Sequence, residues 1–281
     1  MTLQSVAGKR VLITGAAMGL GRIFAEKAVR ENAAAVVLWD IDAAALEATA
    51  AELRASGGTV SIHAVVVDLS RREQVAPAAE RTRREAGDID IIFNNAGIVR
   101  GKLFAEHTPD DIELSMAVNA LAPMLVAREF LPAMIAGRRE SRIVNIASAA
   151  AFVANPRMSV YCASKWALTG WSDSLRLEME LSGHHHVRVT TVHPTFIDTG
   201  MFRGAKAMLM TPIMRPGYVT DRVWRAMKAG SPRLLLPWTV YLSNALKGLM
   251  PARAFDWLAL HVFGIYSSME NFQGREKGTR R

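Results

Sequence analysis

Seven short apolar runs alternate with helical stretches along this chain, and the alternation constrains the fold more than any other feature. The runs are 11–14, 35–39, 60–67, 89–93, 142–147, 187–192 and 233–236. Apolar runs of this length are typical of parallel strands that are buried on both faces, and such strands need helices as crossovers. The pattern therefore predicts an α/β fold with a doubly wound parallel sheet of about seven strands and helices on both faces.

The length suits a single unit of this kind. The chain has 281 residues, half of them apolar, which is enough for a sizeable core. No linker, internal repeat or low-complexity segment divides it. We therefore predict one domain over 1–281, with a substrate lid over about 196–230 and an apolar, basic C-terminal helical extension over about 237–281.

The first apolar run leads through a glycine-rich turn into a helix. Glycines 15, 19 and 21 follow the predicted strand that ends at Thr14, and a predicted helix runs from Arg22 to Glu31. Such a turn lets a pyrophosphate approach backbone N–H groups, and the helix N-terminus adds partial positive charge. A glycine cluster alone is weak evidence, but the strand-to-helix context is the one that this motif requires. The segment predicts a Rossmann-type dinucleotide site.

Asp40 ends the second predicted strand and bears on the choice of cofactor. An acid at this point can accept hydrogen bonds from an adenosine ribose and would repel a 2′-phosphate. Neither Met18 nor Ile41, the residues that flank the predicted ribose pocket, is basic. NAD is therefore favoured over NADP. The structural alternative is that Asp40 caps a helix over 43–55.

A serine, a tyrosine and a lysine stand in the arrangement Ser148-x12-Tyr161-x3-Lys165. Tyr161 and Lys165 are four residues apart in a predicted helix over 159–181, so they share a face. The ammonium group one turn away should lower the pKa of Tyr161 and allow proton exchange near pH 7. Ser148 ends a buried strand, where its hydroxyl could steady a substrate oxygen. Alone, such a triple is also compatible with an ordinary helix.

With these motifs the chain resembles the short-chain dehydrogenase/reductase family over nearly its whole length. The other matching motifs are Asp68-Leu69, Asn94-Asn95-Ala96-Gly97, Asn119, and Pro194 to Thr199, in the family's order. Thr195 stands where the family usually has Gly, which narrows the space beside the nicotinamide. The strings 38–41, 161–165, 198–202 and 269–275 are similar to the retinol dehydrogenase and 17β-hydroxysteroid dehydrogenase branch.

The resemblance implies the strand order 3-2-1-4-5-6-7, with the active site at the carboxyl ends of the strands. It implies that the catalytic residues are Asn119, Ser148, Tyr161 and Lys165, with Lys165 also binding the ribose and Asn119 holding a water on a proton path. The cofactor-binding residues that it implies are Gly15, Met18, Gly19, Leu20, Gly21, Asp40, Ile41, Asp68, Leu69, Asn95, Ala96, Gly97, Asn119, Tyr161, Lys165, Pro194, Ile197 and Thr199. We expect NAD as cofactor, with NADP less favoured, and a homodimer or homotetramer.

Apolar side chains near the predicted site indicate a lipophilic alcohol, or its aldehyde or ketone, as substrate. They are Phe152, Phe196, Met201, Phe202, Met208, Leu209, Met210 and Met214. Some of them could instead pack in the core. A ketoacyl-type reductase is disfavoured because such enzymes usually use NADPH, against Asp40. A catalytically silent nucleotide-binding scaffold or sensor is disfavoured by the complete Ser148, Tyr161 and Lys165 set.

The net charge of +8 is concentrated at the C-terminal end. Residues 201–281 hold 13 Lys or Arg against 4 Asp or Glu, whereas residues 1–200 hold 21 against 22. Trp238 and Trp257, with basic flanks at Lys247, Arg253, Arg275 and Lys277, fit a helix on an anionic membrane surface. The favoured interpretation, however, is that these apolar residues cap the substrate pocket or form a subunit contact. Nucleic-acid binding is disfavoured because no recognised nucleic-acid motif accompanies the charge.

The remaining features bear on the compartment and on metals. The first strand begins near residue 10, which leaves no room for a signal peptide, and we expect no apolar stretch of the ~20 residues needed to span a bilayer. Cys162, the one cysteine, fits a packing role and a reducing compartment, so we expect a cytoplasmic protein. For His184 to His186 no further ligands are identifiable, so we predict a solvated loop and no metal site.

Overall fold

A seven-stranded parallel sheet forms the centre of the computed structural model, which describes residues 2–56 and 58–274. The strands are β1 (Arg10–Thr14), β2 (Ala35–Asp40), β3 (Ser61–Val66), β4 (Ile91–Asn94), β5 (Ser141–Ile146), β6 (Val187–Pro194) and β7 (Arg233–Leu236). Their order is β3-β2-β1-β4-β5-β6-β7, and every neighbouring pair is parallel. The predicted fold class and strand order are confirmed.

Helices cover both faces of the sheet, as buried parallel strands require. They are α1 (Gly19–Arg30), α2 (Ala43–Ala55), α3 (Val75–Ala86), α4 (Pro109–Met116), α5 (Ala122–Gly137), α6 (Ser159–Leu181), α7 (Pro216–Ala229), α8 (Thr239–Leu249) and α9 (Ala252–His261). One apolar core joins the sheet to α1, α2 and α7, and a second joins it to α3, α5 and α6. The carboxyl ends of the strands are thereby left to form the site.

Helix α7 belongs to the first of these cores. Its Trp224 ring stacks on Phe93 of β4, with ring centres 5.6 Å apart, and Phe93 stacks on Phe24 of α1 at 4.6 Å. The Trp224 indole N–H also donates a hydrogen bond to Glu31 at 2.9 Å. The segment predicted as a lid over 196–230 therefore includes a core helix, and the part available to cover a pocket is 196–215.

One long helix bears on the expectation that no apolar stretch is long enough to span a bilayer. Helix α4, the π-helical turn Ala117–Leu121 and α5 run together as Pro109–Gly137, which is long and apolar enough, by length and composition, to cross a membrane. The expectation considered only runs of apolar residues without a charged residue. This stretch has a high mean hydropathy although it contains Arg128 and Glu129. Its most apolar 18 residues are 39% buried in the protein, with Val126 and Phe130 in the second core.

Helices α8 and α9 form the described part of the C-terminal extension. Phe255 and Ala259 of α9 are buried against Val153, so the extension is anchored to the main body. The predicted flanking residues Arg275 and Lys277 lie outside the described residues.

Candidate active site

A cleft of about 510 Å³ opens at the carboxyl ends of the strands, where a doubly wound sheet binds its ligands. Sixteen of the eighteen predicted cofactor residues line it: Gly15, Met18, Gly19, Leu20, Asp40, Ile41, Asp68, Leu69, Asn95, Ala96, Gly97, Tyr161, Lys165, Pro194, Ile197 and Thr199. Gly21 and Asn119 are the other two, and they lie beneath the wall of the cleft. Sequence reasoning missed Asp42, Val67, Ser70, Ile98, Leu114, Val118, Ile146 and Ala147. Most of these adjoin motif residues in sequence but carry no chemical signature of their own.

The glycines of the first loop permit a close turn between β1 and α1. Gly15 has a φ of +64°, and a Cβ there would lie 2.9 Å from the Cα of Ala96. A Cβ on Gly21 would lie 2.1 Å from the carbonyl oxygen of Gly15, so a side chain at either position would displace backbone. Helix α1 begins at Gly19 without a side-chain cap. Its N-terminus therefore faces the cleft as an uncapped end suited to an anionic group.

Asp40 is fixed by two backbone amides. One carboxylate oxygen accepts a hydrogen bond from the N–H of Ala17 at 3.0 Å, and the other accepts from the N–H of Asp42 at 3.1 Å. The N-cap of α2 is Asp42, whose side chain accepts from the N–H of Ala45 at 3.0 Å. The structural alternative, that Asp40 caps this helix, is therefore wrong. With Asp40, Asp42 and Asp68 in its wall, this end of the cleft is acidic.

Asn95 ties the ends of β1 and β4 together below the cleft. Its side-chain amide donates hydrogen bonds to the carbonyl oxygens of Thr14 at 2.9 Å and Gly15 at 3.1 Å. The hydroxyl of Thr14 in turn accepts from the N–H groups of Asn95 and Ala96 at 3.0 and 3.1 Å. These hydrogen bonds thus fix the position of the loop after β4 relative to the glycine turn.

Ser148, Tyr161 and Lys165 meet at the inner end of the cleft, and all three are buried. The Ser148 hydroxyl accepts a hydrogen bond from the N–H of Ala150 at 3.1 Å and is also hydrogen-bonded to the Tyr161 side chain. The Lys165 ammonium donates to the carbonyl oxygen of Ile146 at 2.8 Å and lies 5.7 Å from the centre of the Tyr161 ring. The structure thus brings together the three groups that the sequence spacing singled out.

The pKa values of this cluster differ from the sequence expectation. Burial raises the pKa of Tyr161, and the hydrogen bond with Ser148 offsets only part of this effect. Burial also lowers the pKa of Lys165 to about 8. The lowered pKa that was expected for Tyr161 is therefore not found in this structure, because burial destabilises the phenolate.

Asn119 lies in the π-helical turn Ala117–Leu121 between α4 and α5. Its side chain is fully buried, with Oδ1 accepting from the N–H of Ile98 and Nδ2 donating to the carbonyl oxygen of Ile98, both at 2.9 Å. Nδ2 also lies 3.1 Å from the hydroxyl of Ser164, which donates to the backbone oxygen of Tyr161. Asn119 therefore links the loop after β4 to the helix that carries Tyr161 and Lys165.

A second, apolar pocket of about 80 Å³ adjoins the cleft. Five of the eight predicted substrate residues line it: Phe196, Phe202, Met208, Leu209 and Met210. Met201 lines the cleft instead, whereas Phe152 packs on His193 with ring centres 4.5 Å apart, and Met214 lies in the first core. The pocket wall also includes Thr239, Val240, Leu242 and Ser243 of α8, in agreement with the interpretation that the C-terminal apolar stretch caps the substrate pocket.

Comparison with known proteins agrees with this architecture. Residues 9–209 match the family described as short chain dehydrogenase. The chain belongs to the short-chain dehydrogenase/reductase family. It is an oxidoreductase by that membership, and the sheet order, glycine turn and cleft described above are the family's fold seen in this chain.

Two curated relatives and two solved structures illustrate the likeness. Epidermal retinol dehydrogenase 2 of Mus musculus is 36% identical over 278 residues, covering 98% of this chain and 89% of the relative. Estradiol 17-beta-dehydrogenase 11 of Rattus norvegicus is 36% identical over 260 residues, covering 92% and 85%. A short-chain dehydrogenase/reductase from Burkholderia phymatum in complex with NAD has a TM-score of 0.79 at 26% identity, covering 88% and 95%. One from Sphingobium yanoikuyae in complex with NADPH has a TM-score of 0.74 at 30% identity, covering 90% and 96%.

Proposed function

We propose that this chain is an NAD-dependent oxidoreductase that interconverts a lipophilic alcohol, of retinoid, steroid or long-chain type, and its aldehyde or ketone. One observation carries the proposal: Ser148 and Tyr161 lie where the dinucleotide cleft meets an apolar pocket. The curated relatives named for retinol and estradiol support a substrate of this lipophilic class.

The cleft fits a dinucleotide. The uncapped start of α1 and the glycine turn would hold the pyrophosphate, Asp40 the adenosine ribose, and Asp68 the adenine, whereas Pro194, Ile197 and Thr199 would hold the nicotinamide amide. Bound NAD would supply the hydride acceptor or donor. Solved relatives hold NAD or NADPH, so the family alone leaves the choice open. The acidic wall around Asp40 supports NAD because it would repel a 2′-phosphate.

The protein's own part is the movement of one proton. In reduction the Tyr161 hydroxyl would donate its proton to the substrate oxygen, and in oxidation the phenolate would take that proton back. The Ser148 hydroxyl, already hydrogen-bonded to Tyr161, would hold the same oxygen. Lys165 would bind the ribose and stabilise the phenolate, and Asn119 would support a water-borne proton path.

The proposal is tested with the purified full chain and a panel of retinol, a steroid alcohol and long-chain alcohols, each with NAD and NADP. We expect reduced cofactor to accumulate, at 340 nm, with NAD and at least one lipophilic alcohol. Binding of NAD without turnover of any member of the panel would instead indicate a catalytically silent nucleotide-binding protein.

We also propose that the C-terminal extension of an otherwise cytoplasmic protein contacts an anionic membrane surface. Trp238 is 63% exposed, Trp257 is 59% exposed and Leu249 is 85% exposed. Leu209 and Leu242, which line the apolar pocket, are exposed as well, and Leu242 lies one helical turn from Trp238. A lipophilic substrate could enter there without crossing water. A homodimer or homotetramer remains our expectation, and sedimentation velocity measures it.

A further inference from the structure

The two cavities meet at a narrow set of side chains. Among the residues that the structure describes, Ser148, Thr195 and Phe202 line both the cleft and the apolar pocket, and we call these three residues the junction. Tyr161 lines the cleft but not the apolar pocket. We therefore expect a substrate whose chain occupies the apolar pocket to place its reacting carbon near the junction when it approaches Tyr161.

Thr195 is held in place at the junction. Its backbone N–H donates a hydrogen bond to the carbonyl oxygen of Leu236 at 2.9 Å, which continues the pairing of β6 with β7. The preceding carbonyl, that of Pro194, accepts from the Ser148 hydroxyl at 3.4 Å. Since a β-branched side chain has few rotamers, Thr195 has little freedom to move aside.

The other wall of the junction is also supported. The Phe202 ring packs edge-on to Tyr161, with ring centres 6.2 Å apart, and tilts against Phe196 at 5.0 Å. Contacts with neighbouring residues therefore restrict the movement of both Thr195 and Phe202.

The Thr195 hydroxyl makes no hydrogen bond with the described residues. Its Oγ1 atom is buried and has no partner among the residues that the structure describes. Thr195 thus contributes the bulk of its two γ atoms to the junction, at a position where the family usually has Gly.

We propose that Thr195 is a specificity-determining residue that makes this enzyme favour primary alcohols and aldehydes over secondary alcohols and ketones. The inference rests on the function proposed above. The reacting carbon of a primary alcohol carries one chain and otherwise only hydrogen atoms. A secondary alcohol carries a second carbon substituent on that atom, and this substituent would compete with the γ atoms of Thr195 for space beside Ser148.

The test compares 1-decanol with both enantiomers of 2-decanol, which place the same number of carbons in a linear chain. Wild-type enzyme with NAD should prefer 1-decanol in kcat/KM by at least about tenfold, the usual minimum for one carbon in a tight apolar site. Thr195→Ala should lower this preference about tenfold or more, through a gain in kcat/KM with 2-decanol.

A matched pair of variants separates shape from hydrogen bonding. Thr195→Val keeps the branched shape and removes the hydroxyl, so its preference should stay within about threefold of wild type. Thr195→Ser keeps the hydroxyl and removes the methyl group, so it should relax the preference in the same direction as Thr195→Ala, and it replaces that variant if Thr195→Ala folds poorly.

The outcomes that overturn the inference are distinct from those that overturn the proposed function. Equal kcat/KM for the primary and secondary alcohols in an active wild-type enzyme contradicts the inference alone. A change in Thr195→Val as large as that in Thr195→Ala also contradicts it, because the hydroxyl would then be the determinant. Turnover of neither alcohol, nor of any other lipophilic alcohol, contradicts both.

Discussion

The ammonium group of Lys165 lies over the face of the Tyr161 ring, 5.7 Å from its centre, and donates its hydrogen bond to the carbonyl oxygen of Ile146. Burial favours the neutral form of each side chain, since it raises the pKa of Tyr161 and lowers that of Lys165 to about 8. Burial therefore keeps Tyr161 protonated. The proposed role as proton donor uses this protonated form, whereas the proposed role as base in oxidation requires that the proton be lost.

Removing the phenol tests the assignment of Tyr161 as the proton donor. Tyr161→Phe should lower kcat by two or more orders of magnitude, in line with general acid-base effects of about 10²–10⁴. Affinity for NAD, measured by fluorescence titration, should change little, since the ring and its contact with Phe202 are kept. Near-normal turnover in this variant would refute the mechanism.

The pH dependence of reduction should reflect the pKa of Lys165. Because burial sets that pKa to about 8, raising the pH through 8 removes the charge proposed to bind the ribose, and kcat/KM for aldehyde reduction should fall. Lys165→Arg, which cannot lose its charge in this range, should lack the fall near pH 8 even if its activity is lower throughout. Rate profiles from pH 6 to 10 for both proteins provide the comparison. The same inflection in both would assign it to another group.

Asp40 should set the cofactor preference. We expect NAD to exceed NADP in kcat/KM by at least about tenfold, or about 1.4 kcal/mol. Asp40→Asn removes the charge and should lose the preference, although its single oxygen can accept from only one of the N–H groups of Ala17 and Asp42. Asp40→Ala should also erode the preference. A wild-type enzyme that prefers NADPH would refute the assignment.

Much of the fold was predictable because it depends on local patterns. The parallel sheet follows from apolar alternation and its strand order from the family resemblance. The glycine turn follows from positions such as Gly15, where the backbone excludes a side chain. The positions of Tyr161 and Lys165 follow from helical spacing. Sixteen predicted cofactor residues line one cleft because their motifs end neighbouring parallel strands.

The remainder depends on tertiary packing. The raised pKa of Tyr161 comes from burial by residues distant in sequence, which spacing along one helix cannot reveal. The positions of Phe152 and Met214 in the sequence predict pocket residues. Phe152 instead packs against His193, and Met214 lies in the first core. Val240 and its neighbours in α8 reach the pocket from a distant part of the sequence, where apolar composition indicated a cap but no motif identified the individual residues.

A buried histidine should make the protein sensitive to acid. His193 is fully buried in β6, its Nε2 lies 3.2 Å from the Thr169 hydroxyl, and its Nδ1 has no partner among the described residues. Burial lowers its pKa to about 3, and the nearby cations Arg233 and Lys165 act in the same direction, whereas Asp173 opposes them. The unfolded chain binds a proton near pH 6.5 and the folded protein does not, so stability falls as the pH decreases below about 6.5.

The expected size of this effect allows a direct measurement. Between pH 7 and pH 5 the His193 contribution should cost about 2 kcal/mol of the free energy of unfolding. Urea titrations should show a smaller acid loss in His193→Gln, which retains a donor near Thr169. The control His185→Gln changes an exposed histidine and should behave as wild type. Equal acid sensitivity in all three proteins would exclude His193 as the source.

The structure changes which residues should be replaced to test contact with a membrane surface. Lys247 donates to the carbonyl oxygen of Phe152 and lies 4.8 Å from the centre of the Trp166 ring, so neutralising it would disturb packing near the pocket. Arg253 of α9 is exposed and suited to the test, whereas Arg275 lies outside the described residues.

Co-sedimentation with phosphatidylcholine vesicles, with and without phosphatidylserine, separates apolar from electrostatic binding. Changing Trp238 and Trp257 together to Ser should weaken binding to both kinds of vesicle, because apolar burial is lost. Arg253→Gln should weaken only binding to the anionic vesicles, by about 1 kcal/mol at low salt, and high salt should remove the difference. Leu181→Ser, at an 87% exposed apolar site at the end of α6, is the matched control and should bind as wild type. If wild-type protein does not sediment with anionic vesicles at any salt concentration, the exposed tryptophans belong to a subunit contact, and their replacement should instead change the sedimentation coefficient of the free protein.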